Sequence, residues 1–177
     1  MKRYLNILTR RAFFNQRNIH HKPNHDMSNL EILEKFKPEA HNLLMILHAL
    51  QDSHPENYLT EDAMESTARY LKMTKSSVYG VANYYTMFSV KPRGKFIIRV
   101  CVSPVCELLK INEVIQHLEE ELGIKTGETT PCKRFTLETS ECLGQCHEAP
   151  SMMINQEVFN HLDKPKIKAI LEDYRKK

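Results

Sequence analysis

Four of the five cysteines in this 177-residue chain fall into two pairs. Cys101-Val-Ser-Pro-Val-Cys106 is a C-x4-C segment, and Cys142-Leu-Gly-Gln-Cys146 is a C-x3-C segment. Thiolates are soft ligands, and four converging ones suit zinc or an iron–sulfur cluster. Structural zinc sites favour tight knuckles, often C-x2-C. The longer C-x4-C spacing occurs in [2Fe–2S] proteins, where two ligands straddle a larger body. Two metal-free readings stand beside these, namely two disulfides or buried free thiols. Disulfides are disfavoured in a reducing interior, and nothing in the sequence looks secreted. The fifth cysteine, Cys132, has no partner at short spacing and reads as a non-ligand, because a free cysteine most often serves as a small hydrophobe. His147 adjoins Cys146 and is placed to tune a metal centre, although one histidine beside a motif reads first as a surface residue.

Such cysteines need elements to position them. Lys95–Val102 is rich in Ile, Val and Phe and reads as a buried strand with Cys101 near its end. Leu108, Ile111, Val114, Ile115, Leu118 and Leu122 form a helical stripe that stops at Gly123, a residue suited to the turn after a helix. Phe135–Thr139 reads as a second short strand just before Cys142. Ser151–Ile154 and Glu157–Phe159 predict a small hairpin across Asn155-Gln156, and Pro165 opens a last helix with Ile167, Ile170, Leu171 and Tyr174 on one face. Loops at strand ends of an α/β sheet lie side by side, so the two cysteine pairs can meet at one site. The order strand, helix, strand, two strands, helix is an α/β pattern of thioredoxin-like size.

The preceding residues follow a different period. Residues 28–93 read as a helical bundle, with Leu43, Leu44, Ile46, Leu47 and Leu50 on one face between Pro38 and Pro55. Thr60 is a helix N-cap candidate, with Glu61 and Asp62 in the first turn where the helix dipole favours anions. Met64, Thr67, Ala68 and Leu71 continue that helix at i, i+3, i+4, i+7. A third helix is expected from Ser76 or Ser77, presenting Val78, Val81, Tyr85 and Phe88, and Pro92 with Gly94 marks the boundary to residues 94–177. Residues 60–88 also admit a helix-turn-helix reading, but Ser76–Ser89 contains no Lys or Arg to contact phosphate. No nucleic-acid partner is therefore expected.

Charge and glycine content narrow the function classes. The net charge of +3 comes from residues 1–25, where Lys2, Arg3, Arg10, Arg11, Arg17 and Lys22 occur with no Asp or Glu. With Leu5, Ile7, Leu8, Phe13 and Phe14 between the charges, segment 1–27 reads as an amphipathic organelle transit peptide. No run approaches the ~18 apolar residues of a membrane span. The five glycines, Gly80, Gly94, Gly123, Gly127 and Gly144, stand too far apart for a G-x-G-x-x-G turn or a P-loop. Hydride or phosphoryl chemistry on a nucleotide would have to reside on a partner.

Several motifs agree on one family. The segment Ser77-Val-Tyr-Gly-Val-Ala-Asn-Tyr-Tyr-Thr-Met-Phe88, the turn Pro92-Arg-Gly-Lys95, the Cys101/Cys106 pair, Gly127-Glu-Thr-Thr130, and Glu141-Cys-Leu-Gly-Gln-Cys146 with Ala149-Pro150 occur in register and in order. Together they resemble the thioredoxin-like [2Fe–2S] subunit of NADH dehydrogenases, known as the flavoprotein-2 subunit of mitochondrial complex I and the E subunit in bacteria. Related subunits serve NAD-linked hydrogenases and formate dehydrogenases. The resemblance runs from about residue 36 to the C-terminus and implies a helical bundle followed by a thioredoxin-like [2Fe–2S] ferredoxin domain. It implies that Cys101, Cys106, Cys142 and Cys146 hold one [2Fe–2S] cluster, and that FMN and NADH belong to a larger flavoprotein partner. The subunit would exchange single electrons with that FMN. The expected location is the matrix side of the mitochondrial inner membrane or a hydrogenosome-like organelle, and the bacterial cytoplasm if the tail is not a transit peptide. Two departures are visible. Many members place Pro directly before the second cysteine, whereas here Val105 separates Pro104 from Cys106. His147-Glu148 replaces the small or apolar residue and Asn that follow the fourth cysteine in mitochondrial members, and Gln145, His147 and the Pro92–Lys95 turn look closer to bacterial hydrogenase members.

Overall fold

The computed structural model describes residues 28–177, so segment 1–27, which reads as a transit peptide, lies outside the described residues. The first helix, α1 (Asn29–Leu33), is started by a capping box: Ser28 Oγ accepts from the Glu31 N–H, and the Glu31 carboxylate accepts from the Ser28 N–H at 3.1 Å. Helices α2 (Leu43–Ser53), α3 (Glu61–Leu71) and α4 (Lys75–Tyr84) follow. Thr60 caps α3 as its sequence context predicts, accepting from Ala63 N–H at 3.1 Å. The stripe Met64, Thr67, Ala68, Leu71 is buried throughout, and with Ile46, Leu47, Leu50 and Val78 it belongs to a core of the helical half.

The third helix differs from its expected outline. Thr74, not a later serine, caps it by accepting from Ser77 N–H, so α4 begins at Lys75. It ends before Tyr85, which is 44% exposed, and Phe88 reaches the core from the turn beyond the helix, its ring centroid 4.5 Å from that of His48. The expected four-residue face thus divides between a helix and a turn. With Val78 and Ala82 of α4 buried in this core, that face of the would-be recognition helix is used for packing.

Strand β1 (Phe96–Cys101) is buried at all six positions. It is followed by α5 (Pro104–Leu108), α6 (Ile111–Leu122), β2 (Phe135–Ser140), β3 (Met152–Ile154), β4 (Glu157–Phe159) and α7 (Lys164–Lys176). The sheet order is β2-β1-β3-β4, with β1 and β2 parallel and the other pairs antiparallel. Side chains alternate across a strand, so Phe96, Ile98, Val100, Phe135 and Leu137 share one face. They form a core with Ile111, Val114 and Leu118 of α6 and Ile167, Leu171 and Tyr174 of α7. The expected long stripe from Leu108 to Leu122 is broken: Leu108 ends the short α5 and is 84% exposed. Cys106, buried two residues earlier, lies about 200° around the helix from it, so burying one exposes the other.

The opposite sheet face is polar and meets the helical half. Arg99 on β1 stands beside Glu138 on β2, and the Glu138 carboxylate lies 3.3 Å from both Arg99 Nε and Arg93 Nη1. Arg93 also donates through Nε to the Asn57 carbonyl at 2.8 Å and through its backbone N–H to the Glu56 carbonyl at 2.8 Å. Asn57 Nδ2 returns a bond to the Gly94 carbonyl at 2.9 Å, and Lys133 pairs with Glu56. Arg93 and Arg99 are 3% and 6% exposed, which strengthens their attraction to the Glu138 carboxylate they share and to the nearby charge of Asp52. Gly94 fits at this seam because a Cβ would lie 2.9 Å from backbone atoms of Arg134 and Phe135.

Candidate metal centre

The sheet register assembles the thiols. Phe96↔Phe135 through Cys101↔Ser140 pair in parallel, so both strands end together. Cys101 closes β1, and Ser103 and Pro104 then open α5, with Pro104 at a first-turn position where its missing N–H is no loss. Cys106 is carried inward on α5 and is buried. Past Ser140 the chain turns back over the same end, placing exposed Cys142 and Cys146 on either side of Gly144, whose φ of +77° suits a residue without Cβ. Cys146–Glu148 is a single 3-10 turn that leads through the cis Ala149-Pro150 bond to Ser151 and β3.

The sulfur contacts form two linked pairs. Cys142 Sγ lies 3.3 Å from Cys146 Sγ, and the Gly144 N–H donates to Cys142 Sγ at 3.4 Å. Cys101 and Cys106 are mutual hydrogen-bond partners, and Cys101 Sγ lies 3.3 Å from Ser103 Oγ. Burial opposes ionisation of Cys101, yet the Ser103 hydroxyl and the Ser103 and Leu143 N–H groups outweigh it and hold this thiol below its ordinary range. Burial pushes Cys106 up, against a bond from the Ser151 N–H. Cys146 is pushed up by its bond with Cys142, then by burial and by the charges of Cys142, Cys101 and Cys106. All four sulfurs therefore share one electrostatic neighbourhood.

Cys132 belongs elsewhere. It lies in the turn before β2, at the end where Phe96 and Phe135 pair, so the length of the strands, roughly 16 Å, separates it from the other four. Its thiol is lowered by the Thr130 hydroxyl and the Arg134 N–H, not by another cysteine. His147 is exposed beside Cys146. Ser103, the Leu143 and Gly144 N–H groups and Ser151 were not singled out by sequence reasoning. The Ser103-Pro104 helix start was a readable signal for the first, whereas backbone donors leave no residue-type signature.

The donor set can be tested against a cluster. Two thiol pairs lie in one neighbourhood, a set of four soft donors that would suit the ligation of a [2Fe–2S] cluster. N–H groups from the flanking loops already point at sulfur, which is the outer-shell arrangement that supports such ligands. Four thiols with N–H donors directed at sulfur are a donor set that fits a [2Fe–2S] cluster.

The chain is similar to the E subunit of NADH-quinone oxidoreductase from Aquifex aeolicus, with 34% identity over 144 residues covering 81% of this chain and 89% of the relative. It is 30% identical over 145 residues to the NADP-reducing hydrogenase subunit HndA of Solidesulfovibrio fructosivorans, covering 82% of this chain and 84% of that one. Its fold matches a crystal structure of an NAD+-reducing [NiFe]-hydrogenase with a TM-score of 0.68 at 22% identity, over 78% of this chain and 24% of that polypeptide. The family model described as thioredoxin-like [2Fe–2S] ferredoxin matches residues 30–175, which span both the helical half and the cysteine-bearing sheet, and the chain belongs to that family.

Proposed function

We propose that this chain is the electron-transfer subunit of an NADH-oxidising flavoprotein module, with Cys101, Cys106, Cys142 and Cys146 as the ligands of one [2Fe–2S] cluster. The observation that carries the reading is the meeting of the two thiol pairs where β1 and β2 end together, with N–H groups directed at Cys101, Cys106 and Cys142. Such a cluster has a charge of about −2 when oxidised and accepts one electron. The chain's own part is to hold the thiolates, direct N–H donors at sulfur and bury the Cys101/Cys106 side, while the exposed Cys142/Cys146 side gives an electron a short way out.

FMN and NADH are assigned to a partner flavoprotein, because the five glycines form no nucleotide cradle and hydride must be accepted before single electrons can leave. The parent assembly is read as an NADH:quinone oxidoreductase, supported by the similarity to the E subunits of such enzymes. The similarity to HndA supports a second reading, the equivalent subunit of an NAD(P)-linked hydrogenase. Division into a helical unit, residues 28–93, and a cluster-bearing unit, residues 94–177, is supported by two separate apolar cores. The basic, acid-free residues 1–25 support delivery to the mitochondrial matrix or a hydrogenosome-like organelle. Among the described residues no helix is long and apolar enough to cross a membrane.

The test is affinity purification of the native chain under anaerobic conditions, with mass spectrometry of what accompanies it. A flavoprotein carrying FMN, and reduction of the [2Fe–2S] signal on adding NADH, are expected. Recovery without any flavoprotein, or a cluster that NADH leaves oxidised in the presence of that flavoprotein, contradicts the reading.

A further inference from the structure

Ser151 reaches both thiols of the first pair through its backbone. Its carbonyl accepts from the Cys101 N–H at 3.1 Å, which extends the antiparallel β1–β3 register one step beyond Val100↔Met152 and sets Ser151 opposite Cys101. Residues opposite one another in such a ladder carry their side chains on the same face, with Cβ atoms about 5 Å apart. The Ser151 N–H serves Cys106 Sγ. The hydroxyl is left over. Ser151 is only 1% exposed, and its Oγ has no hydrogen-bond partner. A buried hydroxyl in that state is uncommon, because it has given up water and gained nothing in return. Ser103, on the other side of Cys101, keeps its hydroxyl within 3.3 Å of the same sulfur.

We propose that Ser151 Oγ donates a hydrogen bond to a sulfur of the bound [2Fe–2S] cluster on its Cys101 side, and so sets the reduction potential of this subunit. The inference rests on the cluster reading above and deepens it. What Oγ lacks is an acceptor, and a sulfur-rich group carrying about two negative charges supplies one. A proton donor beside sulfur stabilises the more negative, reduced state over the oxidised one, so the bond raises the potential. Ser151 does this from a fixed place, because both of its backbone polar groups are already engaged on either side of the thiol pair.

The experiment is an EPR-monitored redox titration of the reconstituted full chain, wild type against Ser151→Ala and Ser151→Thr, with iron content measured on each sample. For Ser151→Ala we expect a lower midpoint, by about tenfold in the reduction equilibrium, or about 59 mV for one electron. Ser151→Thr keeps the hydroxyl and is expected to stay near wild type. Deuterium exchange should shift Fe–S resonance Raman bands in wild type and less so in Ser151→Ala. An Ala variant with full cluster content and an unmoved midpoint overturns the proposal. An Ala variant that fails to assemble the cluster, beside a Thr variant that assembles it at the wild-type potential, still assigns the role to the hydroxyl. Failure of both variants assigns the residue to packing and also overturns it. A wild-type chain that takes up no [2Fe–2S] sinks the underlying reading, which sets that failure apart from failure at Ser151.

Discussion

Cys101 stands directly beside Ser140 in the parallel β1–β2 ladder. Cys142 follows Ser140 by only two residues, so the register of two strands, rather than any local loop motif, brings the C-x4-C and C-x3-C segments together. A slip of one residue would turn every side chain of one strand to the other face. The hydrophobic alternation Phe96, Ile98, Val100 against Phe135, Leu137 opposes such a slip, which ties the geometry of the sulfur site to the packing of the core.

Gly94→Ala tests the seam beside those strands. The added Cβ meets the backbone of Arg134 and Phe135 at 2.9 Å, where no flexible side chain can give way. The strain should cost about 2 kcal/mol of stability, as overpacking a fitted interior does. Urea denaturation followed by circular dichroism measures it, and a midpoint equal to wild type would show that the strands can part there.

Glu138→Gln removes the carboxylate that pairs directly with both Arg93 and Arg99. Two buried guanidiniums then lose their directly paired carboxylate and keep only the charge of Asp52 nearby, a loss of about 3 kcal/mol by analogy with other broken buried pairs. Lys133→Ala, which breaks the more exposed, solvent-screened pair with Glu56, should cost clearly less. Equal losses in the two variants would mean that the polar seam adds no more than an ordinary surface contact.

Tyr174 gives a pH signature. Its hydroxyl donates to Glu157 at 2.6 Å while its ring meets Phe96 edge-on, and burial followed by the Glu157 bond pushes the phenol above its ordinary 10.0. The folded state therefore prefers the neutral phenol. That stabilisation is complete below pH 10 and is lost as the pH climbs above it, because the unfolded chain ionises first. Wild type should lose stability steeply between pH 10 and 11, and Tyr174→Phe should lose less over the same interval, with about 1 kcal/mol less stability at pH 8 from the missing hydrogen bond. Parallel urea midpoints for the two proteins across that range would count against this account.

The readable parts of the molecule were those in which residue type and period agree. Thr60 with Glu61 and Asp62, the stripe on α3, the buried run of β1 and Gly123 after α6 each carried their own local signal. Leu108 misled because its spacing to Ile111 is helical, while the left-handed Lys110, at φ +64°, breaks the helix between them. Tyr85 and Phe88 misled for the same reason at the end of α4, since three-residue spacing holds through a turn as well as through a helix. The Arg93–Glu138–Arg99 layer was invisible because ionic residues in a strand normally mark its solvent face, and only the helical half covering that face makes them interior. At the sulfur site the two cysteine pairs could be read directly. Their N–H donors and the unpaired Ser151 hydroxyl depend on backbone placement, which no residue-type pattern encodes.

The most direct test of the central claim is iron and sulfide analysis with EPR on anaerobically reconstituted wild type and the five single Cys→Ser variants. The account predicts about two irons and two sulfides per chain and a rhombic signal on reduction in wild type. It predicts loss or distortion of that signal for Cys101→Ser, Cys106→Ser, Cys142→Ser and Cys146→Ser, and a wild-type cluster in Cys132→Ser. A colourless wild-type protein holding one zinc, or a Cys132→Ser variant that folds but loses its cluster, would contradict it.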